Sequence, residues 1–140
     1  PEPGGKTGAR VMSRALAYAG LAPRDVDYIN AHGTATPHND VAESAAIRLC
    51  FGDVRVSVSS SKGQIGHTLA AAGAIEAIIA VETVATGRIP PTIGMREPDP
   101  ACDLDFVPGQ ARALSPRISL STSLGFGGQN AALVLEGARP

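Results

Sequence analysis

Apolar positions along the chain change period several times, and each change marks an element. Over residues 7–19, Val11, Ala15, Leu16 and Ala19 share one helical face, Arg10 and Arg14 take the other, and Gly20 offers a left-handed stop. Residues 26–30 are a short apolar run of buried-strand type, followed by a polar loop over 32–40. Asp40 followed by Glu43 predicts a capping box, with the Asp40 carboxylate accepting from first-turn amides of a helix that runs to about Cys50 and ends at Gly52. Val54, Val56 and Val58 alternate, which predicts a strand over 54–59. Residues 60–66 read as a small-residue loop holding Lys62, which delivers His67 to the start of a long alanine-rich helix stopping at Gly87. Four prolines make 89–100 an extended connection, and strands are predicted over 103–107, 117–123 and 130–136, the last after a tight turn at 125–128.

Helices alternating with strands, then strands in succession, predict an α/β fold. Its sheet is mixed and covered by helices, parallel inside and antiparallel at one edge. Composition sharpens this picture. Of 140 residues 44% are hydrophobic but only 4% aromatic, so the core must be built from Ala, Val, Ile and Leu. The formal net charge of −1, without runs of like charge, gives no footprint for nucleic acid. Residues 68–85 are nearly long enough to span a bilayer, but Glu76 and Glu82 would be costly there. Ala70, Ala71, Ala72, Gly73, Ala74 and Ala77 point instead to a soluble protein with a helix buried between layers. Cys50 and Cys102 lack metal or redox spacing and are read as reduced thiols. The start, Pro-Glu-Pro-Gly-Gly, has the look of a piece of something longer.

Three loops after predicted strands concentrate the chemistry. In the first, His32 beside Gly33 suits a general acid or hydrogen-bond donor, although a satisfied half-buried histidine fits equally. In the second, His67 at a helix start would be held neutral by the positive end of the helix and could donate to a developing oxyanion. Neither the phosphate-loop spacing nor the partner motifs of a Ser-Lys hydrolase accompany Lys62. In the third, glycines around Phe126 leave backbone amides exposed for an oxyanion hole, or simply make a hairpin turn. No carboxylate or thiol completes a zinc set with His32, His38 and His67, and His38 is expected in solvent.

Together the loops resemble one family. Tyr28 to Pro37 with Asp40 and Glu43 resembles the HGT-x-T-P…D-x-x-E signature of the β-ketoacyl-[acyl-carrier-protein] synthases. Ser61-Lys62, then Gly66-His67-x-Leu69-x-Ala71-Ala72-Gly73, is similar to their second motif, and Gly125-Phe126-Gly127-Gly128-x-Asn130-Ala131 to their third. The resemblance is collinear from about residue 5 to residue 136. It implies the C-terminal half of a thiolase-like fold, with the alanine-rich helix buried between two sheets, and places the nucleophilic cysteine in an absent N-terminal half.

The resemblance also implies roles. His32 and His67 would assist malonyl decarboxylation, Lys62 would pair with Glu43 to order the site, and Thr34 and Thr36 would bind the pantetheine arm. Phe126 would gate the pocket beside Gly127 and Gly128, its amide completing an oxyanion hole, with Asp40 and Glu43 as structural support. Two histidines mark the elongating class. The implied reaction is decarboxylating Claisen condensation of malonyl-acyl-carrier protein with an acyl-enzyme thioester, with the isolated chain inactive. The implied partners are acyl-carrier protein bearing phosphopantetheine-linked groups, the N-terminal half, and a second copy in a homodimer, in the cytoplasm. No cofactor is implied beyond a structural monovalent cation near Asn30 and Glu76. Leu124, Thr122, Gln129 and Ala70 depart from the usual residues. The alternatives are a non-catalytic chain-length-factor-like partner and an acyl- or CoA-binding module.

Overall fold

The computed structural model describes residues 2–138. Its helices are α1 (Lys6–Ala19), α2 (Pro37–Phe51), the single turn α3 (Lys62–Ile65) and α4 (Ala72–Thr86). The strands are β1 (Tyr28–Asn30), β2 (Ser57–Ser59), β3 (Arg88–Ile89), β4 (Asp105–Phe106), β5 (Arg112–Ala113), β6 (Ile118–Leu124) and β7 (Asn130–Glu136). Five of them form one sheet in the order β4-β2-β1-β6-β7, parallel except for the β6–β7 edge pair, while β3 and β5 pair separately. The predicted mixed sheet is therefore present, and both thiols are free.

Several predicted strands shorten at their starts. Val26 and Val56 are buried but stand ahead of the paired residues, because an apolar alternation reports burial and not ladder bonding. The connection expected to be wholly extended begins inside β3.

Alternation gives the sheet two unlike faces. Ile29, Val58 and Leu120 stand in register across β1, β2 and β6 and pack on Met12 and Leu16 of α1 and Ala46, Ile47 and Phe51 of α2. Here α1 approaches α2 so closely that a Cβ on Gly8 would fall 2.8 Å from that of Ala46. The opposite face carries Tyr28, Asn30, Ser59, Ser119 and Ser121, all buried. Helix α4 lies over β6 and β7 on this side.

Only one side of α4 is covered. Ile78 is 62% and Leu69, just before the helix, 74% exposed, with Val81 also open to solvent. The helix sequence is apolar on every side, and of the two layers expected around it this chain supplies one. Residues Leu69–Thr86 are long and apolar enough to cross a membrane by length and composition, yet Glu76 points inward at 1% exposure.

Candidate active site

His32 follows the end of β1 by two residues, and the local chain is shaped by Gly33. Its φ of 39° lies in the left-handed region, and an added Cβ would sit 2.5 Å from Ser60 Cβ. The close approach lets Ser60 Oγ donate to the Gly33 carbonyl at 3.0 Å, tying the first histidine loop to the second.

Helix α2 begins at Pro37, not Asp40. Proline fits the first helical position, and Thr36, extended at φ −109°, precedes it without a side-chain cap. The predicted capping box does not form. Asp40 Oδ1 instead accepts from Asn39 Nδ2 at 3.2 Å, and Asp40, with Thr36 and Gly33, borders a cavity of about 540 Å³. Glu43 turns inward, one turn further along. Its Oε1 accepts from the His32 N–H at 2.8 Å and from Thr122 Oγ1 at 2.8 Å, while Oε2 accepts from the Gly33 N–H at 2.8 Å and Asn39 Nδ2 at 3.3 Å. Burial raises the Glu43 pKa, and these four donors oppose it.

The expected Lys62–Glu43 pair is absent. Lys62 stands in α3, not in a loop, and its Nζ pairs with Glu76 Oε1 of α4. Glu43 already holds four donors, so its carboxylate is satisfied without the lysine. Glu76 also has its pKa raised by burial, against the lowering effect of Lys62. Its Oε2 and both amide atoms of Asn30 are buried with no hydrogen-bond partner among the described residues. Carboxylate and amide oxygens are hard donors of the type an alkali cation takes, so these residues fit the implied structural cation. No cluster of three His, Cys, Asp or Glu suited to a metal occurs among the described residues, and His38 is exposed.

His67 does not open α4. It precedes a 3-10 turn, Leu69–Ala71, and its Nδ1 accepts from the Leu69 N–H at 3.2 Å. That bond places the ring proton on Nε2, leaving Nε2–H free to donate. The His32 and His67 rings meet edge to face, with centroids 5.3 Å apart and planes at 84°. His32 is 8% exposed, and burial, then the positive charge of Lys62, lowers its pKa to about 4. The pair thus offers a neutral, water-poor imidazole beside a solvent-facing one with a fixed tautomer.

Thr34 and Thr36 share a hydrogen bond of 2.9 Å at the open rim of this loop. Phe126 is 98% exposed in a 3-10 turn with Gly127 and Gly128, both at positive φ. Thr122 and Glu76 were not singled out as catalytic-site residues by the sequence. A hydroxyl in the same alternating row as Ile118 and Leu120 and a carboxylate inside an apolar helix are the signals the sequence offers.

A family model described as the beta-ketoacyl synthase C-terminal domain matches residues 1–96. The chain is 48% identical over 138 residues to 3-oxoacyl-[acyl-carrier-protein] synthase 2 of Synechocystis sp., covering 97% of this chain and 33% of that protein. A beta-ketoacyl synthase from Burkholderia phymatum superposes with a TM-score of 0.94 at 42% identity, over 99% of this chain and 34% of the other. A type II polyketide synthase acyl-carrier protein in complex with its ketosynthase (AntDE:AntF) matches with a TM-score of 0.90 at 37% identity, over 94% of this chain and 33% of that one. The chain thus spans about a third of the length of these relatives. The fold is the thiolase-like α/β fold of ketosynthases. With a domain model covering residues 1–96 and a curated relative matching nearly end to end, this chain belongs to the beta-ketoacyl synthases, where it corresponds to the C-terminal domain.

Proposed function

We propose that this chain supplies two imidazoles to a decarboxylating Claisen condensation, as the C-terminal half of a 3-oxoacyl-[acyl-carrier-protein] synthase of the elongating class. One observation carries the reading: His32 and His67 face each other at 5.3 Å, one neutral and buried, the other with Nε2–H free to donate. A malonyl thioester whose carbonyl oxygen lies beside the pair, within reach of both rings, gains two N–H donors as carbon dioxide leaves and negative charge grows on that oxygen. The α-carbon of the resulting enolate attacks an acyl group held as a thioester on a cysteine of the N-terminal half. The cysteine sulfur departs as thiolate, and the product is a 3-oxoacyl thioester on the carrier.

Supporting parts follow from their positions. Thr34 and Thr36 present hydroxyls to a pantetheine arm at the open rim, and Phe126 closes over it, its backbone amide stabilising the acyl oxyanion with Gly127 and Gly128 beside it. Asn30 and Glu76 would hold the structural monovalent cation through their buried, unpartnered oxygens, and it would take no part in bond making. The bare apolar side of α4 is where the N-terminal half packs, which accounts for its exposure here. The enzyme works in the cytoplasm as a homodimer on carrier-protein substrates, and neither a membrane nor a nucleic acid takes part. A chain-length-factor-like subunit has no use for the facing pair.

The test separates two half-reactions in the complete synthase. His32→Ala and His67→Ala each lower malonyl-carrier decarboxylation by about 10²-fold or more, while acyl transfer to the cysteine persists. The 140-residue chain alone makes no 3-oxoacyl product. Turnover by that chain, or wild-type decarboxylation in both variants, defeats the proposal.

A further inference from the structure

We infer that Thr122 is a positioning residue for His32, acting through the backbone. This rests on the condensation reading and adds a residue to it. An imidazole is usually oriented by a hydrogen bond at its second nitrogen. His32 Nδ1 is buried and has no such partner among the described residues. The bonds that hold this residue are on its peptide nitrogen. The N–H is shared between Glu43 Oε1 at 2.8 Å and Thr122 Oγ1 at 3.1 Å. The Thr122 hydroxyl in turn donates to Glu43 Oε1 at 2.8 Å, closing a three-membered ring of contacts. The carbonyl of Asn30, at 3.4 Å, is the weaker alternative acceptor.

The elements explain why the hydroxyl matters more than another donor would. Glu43 reaches back from α2 on a side chain with three torsions, and by itself it would leave the peptide some play. Thr122 sits in the middle of β6, 1% exposed, on a β-branched side chain whose first torsion is stiff. Strand β6 is paired on both sides, with β1 and with β7. The hydroxyl is thus a fixed point against which the carboxylate and the His32 amide are set, and the ring of His32 follows its Cα.

The test uses Thr122→Ser and Thr122→Ala in the complete synthase, a pair that differs only in the hydroxyl, with Thr122→Val as the shape-preserving variant. Decarboxylation of malonyl-carrier protein and acyl transfer to the cysteine are measured separately. Thr122→Ala and Thr122→Val lower kcat for decarboxylation by about 10–100-fold, with KM and acyl transfer within twofold of wild type, and Thr122→Ser restores kcat to within about threefold. Decarboxylation unchanged in the alanine variant, an equal fall in both half-reactions, or no difference between serine and alanine overturns the inference. A wild-type synthase that acylates its cysteine but releases no carbon dioxide overturns the condensation reading instead.

Discussion

Breaking the Lys62–Glu76 pair should cost far more than deleting it. Both side chains are buried, at 5% and 1% exposure, and the second carboxylate oxygen has no hydrogen-bond partner among the described residues. Lys62→Met leaves a carboxylate in a water-poor site, and Glu76→Leu leaves an ammonium there. Each should lower unfolding free energy by about 3–5 kcal/mol, a large part of a typical ~5–15 kcal/mol. The double variant Lys62→Met/Glu76→Leu removes both charges at similar volume and should lie within about 1 kcal/mol of wild type or above it. Urea unfolding of the four proteins gives the cycle directly. The pH dependence has a definite sign. Burial already raises the Glu76 pKa, and without Lys62 it rises further. Folded Glu76 then keeps a proton that the unfolded chain has lost above about pH 4.3, so stability falls as pH climbs through the folded value. Lys62→Met should be least harmed near pH 5 and most harmed near pH 8. Single variants costing under about 1 kcal/mol, or a double variant as weak as the sum of both, would refute this reasoning.

His32 should titrate with an NMR midpoint of about 4, and the histidine of the unfolded chain near 6.5, so stability is present above 6.5 and about 3 kcal/mol is lost as pH falls to 4. A midpoint near 6.5 in the folded protein would rule out its burial. Gly33→Ala forces a side chain against Ser60 at positive φ and should cost about 2–4 kcal/mol, some 10 °C in Tm. Gly20→Ala also has positive φ, in the left-handed helical region with ψ 27°, but nothing lies within 4 Å of its Cβ, so it should cost only about 1 kcal/mol. Equal losses at the two glycines would show that contact with Ser60 is not the cause.

The sequence and the fold agree best where the signal is local. The α1 periodicity with its Gly20 stop, and the final strand Asn130–Glu136, could be read directly from residue types. Pairing between distant side chains could not. Nothing local tells Lys62 to choose Glu76 over Glu43, because the choice depends on how α3 and α4 pack over the sheet. The helix start at Pro37 was masked by a plausible Asp40–Glu43 box, since the same glutamate could serve its own helix or reach the His32 peptide. The one-sided exposure of α4 was equally hidden: an all-apolar helix announces that it is covered, not by which chain.

The Ser60–Gly33 hydrogen bond has a mechanical consequence. It yokes the two histidine loops, so a substrate that pushes on one peptide drags the other with it, and the gap between the imidazoles is conserved under load. Inhibitors or substitutions that shift this region should therefore displace the histidines as a coupled unit before they spread them apart.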